Sequence, residues 1–528
     1  MTKKLDLLDI QGNIVRAYGR FSYPLARYVF LNIRESASAR RFVGALTRQV
    51  TSSAEWGDLP HQIKQPDWTV NIAMTYQGLK ALEVPRSSLM GFAPEFVMGM
   101  KARRDILGDD GPSSPVYWDP IWQDHHTSRD KDVHLFVSIN ARSPLLLEKA
   151  YAWLQNMVKE FQIGVCILGG HRGPDGVLLD YQDGCVLLEE GVPCAKEHFG
   201  YTDGIGDPVF EGAPRYDLKV NGRGKQMEDG SWQALATGEF LLGHIDEAKE
   251  YPNAPLPILL SRNGSYMVYR KLHENVATFD RYLEEQALVF SREKKLEMDA
   301  ARELLAAKMV GRWRDNGAPL VHAPDPSSKV EFDAKLAEAA PAERDQLLSG
   351  FTYDEDMSGA RCPFSSHIRR INPRASLEMV KGDLPGSMVM NVEAFDTPGA
   401  LTNRRRILRR GLPYGVVKDR SRDDGEHGII IMMINADINR QFEFVQQQWI
   451  NYGNDFQAGS DKEILLGNHS SDERFPSKAV LQVEPDSDDA PFFLNKLPRF
   501  VETRGGEYFF VPSLTALRLI AQGLVDPT

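Results

Sequence analysis

The stretch VHLFVSINARSPLLLEKAYAWLQNMV, residues 133–158, decides the reading of the fold. Its first seven residues are rich in Val, Ile, Leu and Phe and predict a buried strand. Ser143 then stands as an N-cap and Pro144 at the first helical position, followed by a stripe of Leu147, Tyr151, Leu154 and Val158. The same strand-then-helix order recurs three times. Residues 28–33 (YVFLNI) precede a helix over 40–50 that carries Phe42, Ala45 and Leu46 on one face. Residues 266–269 precede Val276, Phe279 and Leu283, and residues 429–434 precede Phe442, Val445 and Trp449. Two such units lie in each half. They predict an α+β class, a duplicated ferredoxin-like fold of antiparallel sheets with helices packed on one face. The expected halves are residues 1–215 and 216–528. A doubly wound parallel sheet is disfavoured, because no Gly-rich phosphate loop follows any strand. Residues 101–130, 211–238 and 315–360 read as insertions or loops, the last with a short Ala/Glu helix.

Composition narrows the function classes. The 528 residues are 42% hydrophobic and 26% charged, the balance of a globular protein with ample core. A net charge of −11 argues against nucleic acid as the main partner. No apolar run approaches the ~20 residues of a spanning helix, so no membrane partner is expected. The opening MTKKLDLLDIQ has neither an apolar core segment nor a twin arginine, and the expected location is the cytoplasm. Cys166, Cys185, Cys194 and Cys362 are too scattered for a disulfide framework or a zinc finger and are expected to be reduced and mostly buried.

Three residue sets carry chemistry. HFGYTDGIGDP, residues 198–208, flanks Asp203 with glycines that permit a tight turn and close backbone approach; an Asx turn is the bland alternative. RCPFSSHIRRINPR, residues 361–374, sets His367 among four arginines. A neutral imidazole ligates iron well, and guanidinium groups pair with carboxylates such as haem propionates. NRRRILRRGLPYG, residues 403–415, packs five arginines into seven positions, yet Ile407, Leu408 and the tail that follows imply partial burial. A buried arginine needs an anion, or a negative charge that develops during reaction.

In this order the three sets resemble the dye-decolorizing peroxidase family. DIQGNI (9–14), NIAMTYQGLKAL (71–82) and KMVGRW (308–313) extend the resemblance, which reaches the helix ending at Trp449. It implies a haem-dependent peroxidase that reduces hydrogen peroxide through a ferryl intermediate and oxidises dyes and other aromatic or phenolic donors. It further implies one haem b per chain, bound in the C-terminal half, and leaves homo-oligomerisation open. The N-terminal half then carries the distal Asp203, and the C-terminal half the proximal histidine and the distal arginine. Carried over residue by residue, His367 is the proximal iron ligand, Asp203 the distal acid and Arg409 the distal arginine, with Arg410 as fallback. Arg369 is expected to bind the cofactor, and Ile429 and Ile431 to form its apolar distal cover. Asp461, in GSDKEIL (459–465), is expected to hydrogen-bond His367, with Asp437 as runner-up; the sequence departs here from the family's usual Asp-Pro form.

The implied chemistry needs these residue types. A distal base accepts the peroxide proton and returns it to the departing oxygen, and an aspartate stays a base in acid where a histidine would already be protonated. The arginine stabilises the peroxide anion, and an acidic partner gives the proximal imidazole imidazolate character. Electrons from bulky dyes would leave through surface aromatics, with Trp118, Trp122, Trp232, Trp313 and Trp449 as candidates by type and Trp449 read as core. A non-catalytic haem carrier needs no acid–arginine pair. Chlorite dismutases and coprohaem decarboxylases, on a related fold, lack the G-x-x-D-G acid, so Asp203 separates these readings.

Overall fold

The computed structural model describes residues 5–19, 22–57, 62–377, 399–470, 472 and 474–525. Nine strands form one antiparallel sheet. They are β1 (Leu25–Ile33), β2 (Trp68–Met74), β3 (Leu135–Ala141), β4 (Val165–Ile167), β5 (Gln182–Cys185), β6 (Ser265–Glu274), β7 (Leu408–Tyr414), β8 (Gly428–Asn435) and β9 (Val501–Val511). The strand order is β7-β8-β6-β9-β2-β3-β1-β4, with β5 also paired to β1.

This order contains the same pattern twice. In the first half β2-β3-β1-β4 and in the second β7-β8-β6-β9 run second, third, first, fourth, the ferredoxin-like arrangement expected from the recurring strand–helix unit. The half-sheets meet at a single registered pair, Phe510 with Met74. Tyr28 and Phe30 of β1 touch Tyr269 of β6 across the interior, with ring centroids 6.2 and 5.3 Å apart. At the other end, a Cβ at Gly184 of β5 would lie 3.2 Å from Leu412 Cβ of β7. The sheet therefore curls into an α+β barrel with aromatic side chains filling its core.

Helices cover the barrel as their patterns require. In α1 (Ser36–Thr47) the carboxylate of Glu35 caps the Ala37 and Ser38 amides, so the helix starts and ends earlier than the expected 40–50. In α2 (Pro144–Glu160) Ser143 accepts from Leu146 N, and Leu147, Tyr151, Leu154 and Val158 are buried. In the second half, α3 (Val276–Lys294) and α4 (Met298–Val310) form a second core with Phe199 and Tyr201. The 315–360 insertion holds two helices, α5 (Pro326–Glu338) and α6 (Pro341–Ser349), rather than one. The expected helix through Phe442, Val445 and Trp449 is wound as π-turns, Asn439–Glu443 and Val445–Ile450, and buries all three residues. The last helix, α8 (Leu514–Gln522), packs on α1, and its Leu514 and Thr515 amides donate to Asp9, each at 2.8 Å. Among the cysteines, all free, Cys362 is buried and the other three are half-buried, short of the burial expected. No helix among the described residues is long and apolar enough to cross a membrane.

Candidate active site

The site begins with strand alternation. β7 and β8 pair in a register that opposes Arg409 to Met433, Gly411 to Ile431 and Pro413 to Ile429. Opposed residues share a sheet face. Leu408, Arg410 and Leu412 are buried, as are Ile430, Met432 and Ile434, whereas Arg409, Ile429, Ile431 and Met433 are half-buried on the other face. One open face thus carries a cation among apolar side chains.

The segment holding Asp203 is tied to this face. Arg409 Nη2 donates to Ile205 O at 2.9 Å, and Arg409 N donates to Asp207 Oδ1 at 3.1 Å. Asp203 is half-buried; its amide donates to Ala195 O at 2.8 Å, and its Oδ1 accepts from Gly204 N at 2.5 Å. Gly204 has φ 80°, a left-handed conformation that a side chain would strain. Arg410 points into the opposite, buried face. Its guanidinium donates to Asn13 O, Ile14 O and Asp207 Oδ2 at 2.7–2.8 Å. It braces the 9–14 segment against β7.

Close to Asp203 lies a carboxyl pair, Glu274 buried and Glu197 half-buried. Glu197 accepts from the amides of Phe199 and Tyr201, Glu274 accepts from His198 N, and the two carboxyls hydrogen-bond each other. Burial pushes Glu197 up to about 7 against the backbone amides, with the Asp203 charge adding to the rise. Burial and then the Glu197 charge hold Glu274 well above the usual carboxylate range.

His367 is the first residue of α7 (His367–Ile371), directly after Ser366. Its Nδ1 is buried 3.4 Å from Glu463 Oε1, while the side chain remains 22% exposed, so the exposure falls on the rest of the ring. Glu463 is fully buried and accepts from Leu465 N at 2.9 Å and from Leu466 N. Burial alone would raise its carboxyl, but the nearby His367 imidazole and the backbone amides outweigh it and hold the group below its ordinary value.

Three further guanidinium groups link His367 to the Arg409 face. Gly311, at the end of α4, lies against Ile368, the neighbour of His367. Arg312 follows, and it feels the charges of both Arg374 and Arg409; Arg406 feels the same two. Arg312 donates to Gly317 O and Leu348 O, Arg374 to Phe351 O, and Arg406 to Gly224 O and Arg223 O. Burial first, and repulsion from neighbouring arginines second, push Arg312 and Arg406 down to about 9; burial pushes Arg374 down to about 10. Among the described residues these groups meet backbone carbonyls rather than carboxylates. Such a cluster calls for an anion. With an open imidazole edge and an apolar sheet face beside it, the residues fit a haem, whose iron wants the imidazole and whose carboxylates want the cations.

Residues 9–171 match the family model described as the DyP dimeric alpha+beta barrel domain. The dye-decolorizing peroxidase msp1 of Mycetinis scorodonius is 26% identical, over 98% of this chain and 88% of that protein. The multifunctional dye peroxidase DyP2 of Amycolatopsis sp. is 27% identical, over 97% and 95%. The solved structure of an ancestral D-type dye-decolorizing peroxidase superposes with a TM-score of 0.71 at 26% identity, over 98% of this chain and 99% of that one. The chain is similar to dye-decolorizing peroxidases over nearly its whole length, and its first third matches their barrel domain.

In this peroxidase, Asp203, Arg409, Ile429 and Ile431 come together on one assembly of loop and sheet face, and the arginine cluster connects it to His367. Three sequence expectations need correction. Asp461 does not reach His367: its carboxylate accepts from Lys478 Nζ at 3.0 and 2.8 Å, and Glu463, two residues on, occupies the place. Asp437 instead accepts from Arg440 N at 2.8 Å at the start of the π-turns. Arg369 is fully buried, with both Nη groups committed to Asp356 and Cys362 O and its guanidinium stacked over Tyr353, so only the buried Nε is without a partner. Arg312, Arg374 and Arg406 were missed, although each lies in a quoted motif; only their lack of carboxylate partners singles them out. Among the tryptophans proposed for electron relay, Trp118, Trp122, Trp313 and Trp449 are buried, and Trp232 is half-buried.

Proposed function

We propose that this haem-dependent peroxidase takes hydrogen peroxide as oxidant and aromatic, dye-like compounds as reductants, with Asp203, Arg409 and His367 as its working residues. The observation that carries this reading is the placement of Arg409 on the open sheet face with Ile429 and Ile431, its guanidinium held to the backbone of the Asp203 loop. Haem b, one per chain, supplies the redox iron that accepts the two oxidising equivalents of peroxide. His367 would hold that iron, and Glu463, which faces its Nδ1, would strengthen the imidazole as a donor. Arg312, Arg374 and Arg406 receive the haem carboxylates. Asp203 takes the proton of incoming peroxide and hands it to the departing oxygen. Arg409 stabilises the negative charge on the peroxide, and Ile429 and Ile431 keep bulk water from it.

A solved dye-decolorizing peroxidase is described in complex with 2,6-dimethoxyphenol, and the donors proposed for this chain are of that chemical class. A haem carrier needs His367 but neither Asp203 nor Arg409. Adding hydrogen peroxide to the haem-loaded protein with a dye distinguishes the two. A peroxidase bleaches the dye catalytically with a transient Soret change, whereas a protein that binds haem and leaves the dye untouched is a carrier.

A further inference from the structure

The insertion at 101–130 carries a second cluster that the peroxidase chemistry does not use. His125 and His126 follow the short helix Pro120–Asp124, and their rings stack with centroids 3.7 Å apart. Both Nε2 atoms converge on one carboxylate oxygen, Glu507 Oε2 of β9, at 2.9 Å from His125 and 3.2 Å from His126. The other oxygen, Oε1, is occupied by the amides of Met100 and Tyr508 at 2.8 and 2.7 Å. The carboxylate is therefore fixed in orientation, with Oε2 presented to the imidazoles. Glu507 and His125 are buried, and the His126 side chain is 26% exposed, which leaves an approach from solvent.

We propose that His125, His126 and Glu507 form a binding site for a divalent first-row transition metal. Their ligand atoms all lie within 4.8 Å of one another. Atoms that share one metal at its usual bond lengths sit about 3.0–3.4 Å apart, and the two imidazole-to-carboxylate distances already lie near that range. Two imidazoles and one carboxylate suit zinc, iron or manganese and disfavour calcium and magnesium, which prefer oxygen donors.

Two further features show that the space is built. His126 holds a left-handed φ of 66°, a conformation that few non-glycine residues adopt and that brings its ring over that of His125. Gly99, with φ 78°, lies against the donor atoms. A Cβ there would stand 2.8 Å from His126 Nε2 and 3.0 Å from Glu507 Oε2, so any side chain would intrude on the site. Asp132 orders the outer side. Its Oδ1 accepts from His126 N at 2.9 Å and lies 3.6 Å from His125 Nδ1. Metal binding takes the proton off His125 Nε2, and the tautomer protonated at Nδ1 then turns that proton to Asp132, the carboxylate–histidine–metal pattern. Val133 N gives up its Nδ1 acceptor in the exchange.

The test is equilibrium dialysis of the haem-loaded protein against zinc chloride, with zinc and iron counted by mass spectrometry. One zinc per chain beyond the haem iron is expected. His126→Ala removes an exposed ligand without opening the core, and should weaken zinc retention by about tenfold or more with an unchanged circular-dichroism spectrum. Asp132→Asn, which touches no metal, should weaken it by roughly 10–100-fold. Wild-type protein that retains no stoichiometric zinc overturns the proposal, as does His126→Ala retaining as much zinc as wild type. Soret and dye-bleaching measurements on the same samples read the haem site separately.

Discussion

Nδ1 of His367 lies 3.4 Å from Oε1 of Glu463, a carboxylate with no solvent exposure whose oxygens are steadied by the Leu465 and Leu466 amides. A carboxylate so fixed sets both the tautomer and the basicity of its imidazole. Glu463→Gln removes the charge and keeps the shape. Haem should stay bound, the iron reduction potential should rise, and activity should fall by about 10–100-fold. Asp461→Asn should change neither quantity. Equal effects of the two substitutions on the measured potential would take the role from Glu463.

Arg409 and Arg410 are adjacent yet face opposite sides of β7, so their substitutions should separate cleanly. Arg409→Leu should fold normally, bind haem and slow the peroxide reaction by roughly 10²–10³-fold in stopped-flow mixing. Arg410→Leu leaves Asp207 Oδ2 and two buried carbonyls without donors. It should cost about 2–4 kcal/mol of stability in denaturant unfolding while the surviving folded protein reacts with peroxide at nearly the wild-type rate.

Asp203→Asn keeps the turn and deletes the base. The peroxide step should lose about 10²–10⁴-fold with haem content unchanged. Asparagine protein that reacts as fast as wild type would return Asp203 to the role of a turn residue.

The carboxyl pair beside Asp203 makes stability depend on pH in a defined direction. Glu197 is raised from 4.5 to about 7 in the folded protein. Between those values the folded state holds a proton that the unfolded chain has released. Its contribution is therefore complete below pH 4.5 and is lost as pH climbs through about 7. Glu274 is raised as well and adds to the same loss; Glu274→Gln removes that second proton and should flatten the curve, leaving the part that burial of Glu197 sets. Melting temperatures of both proteins across that interval check it; parallel curves would show that Glu274 adds nothing to the pH dependence.

Arg374 and Arg369, five positions apart, offer a last contrast. Arg374→Gln should weaken haem retention during gel filtration while the apoprotein stays folded. Arg369→Gln breaks a buried pair with Asp356 and should instead lower stability by about 3–5 kcal/mol.

The repeated strand–helix unit and both half-sheets were legible because they rest on local pattern, and His367, Asp203 and Arg409 could be proposed because each sits in a motif. What escaped was the choice between chemically similar neighbours. Asp461 and Glu463 are both acids in one short segment, and only the fold turns one toward Lys478 and the other toward His367. Likewise Arg369 and Arg374 share a motif, but the buried Asp356 that claims Arg369 comes from a separate loop, thirteen residues earlier. The His125–His126–Glu507 cluster joins residues almost four hundred positions apart, a separation at which no spacing rule operates.

The pairing of α8 with α1 sets a timetable for the newborn chain. Helix 36–47 leaves the ribosome several hundred residues before the helix 514–522 that covers it and that bonds to Asp9. At about 5–20 residues per second, the apolar side of the first helix waits tens of seconds for its partner. During translation, then, the first ferredoxin-like unit should need chaperone cover, and deleting residues 514–522 should be felt at helix 36–47.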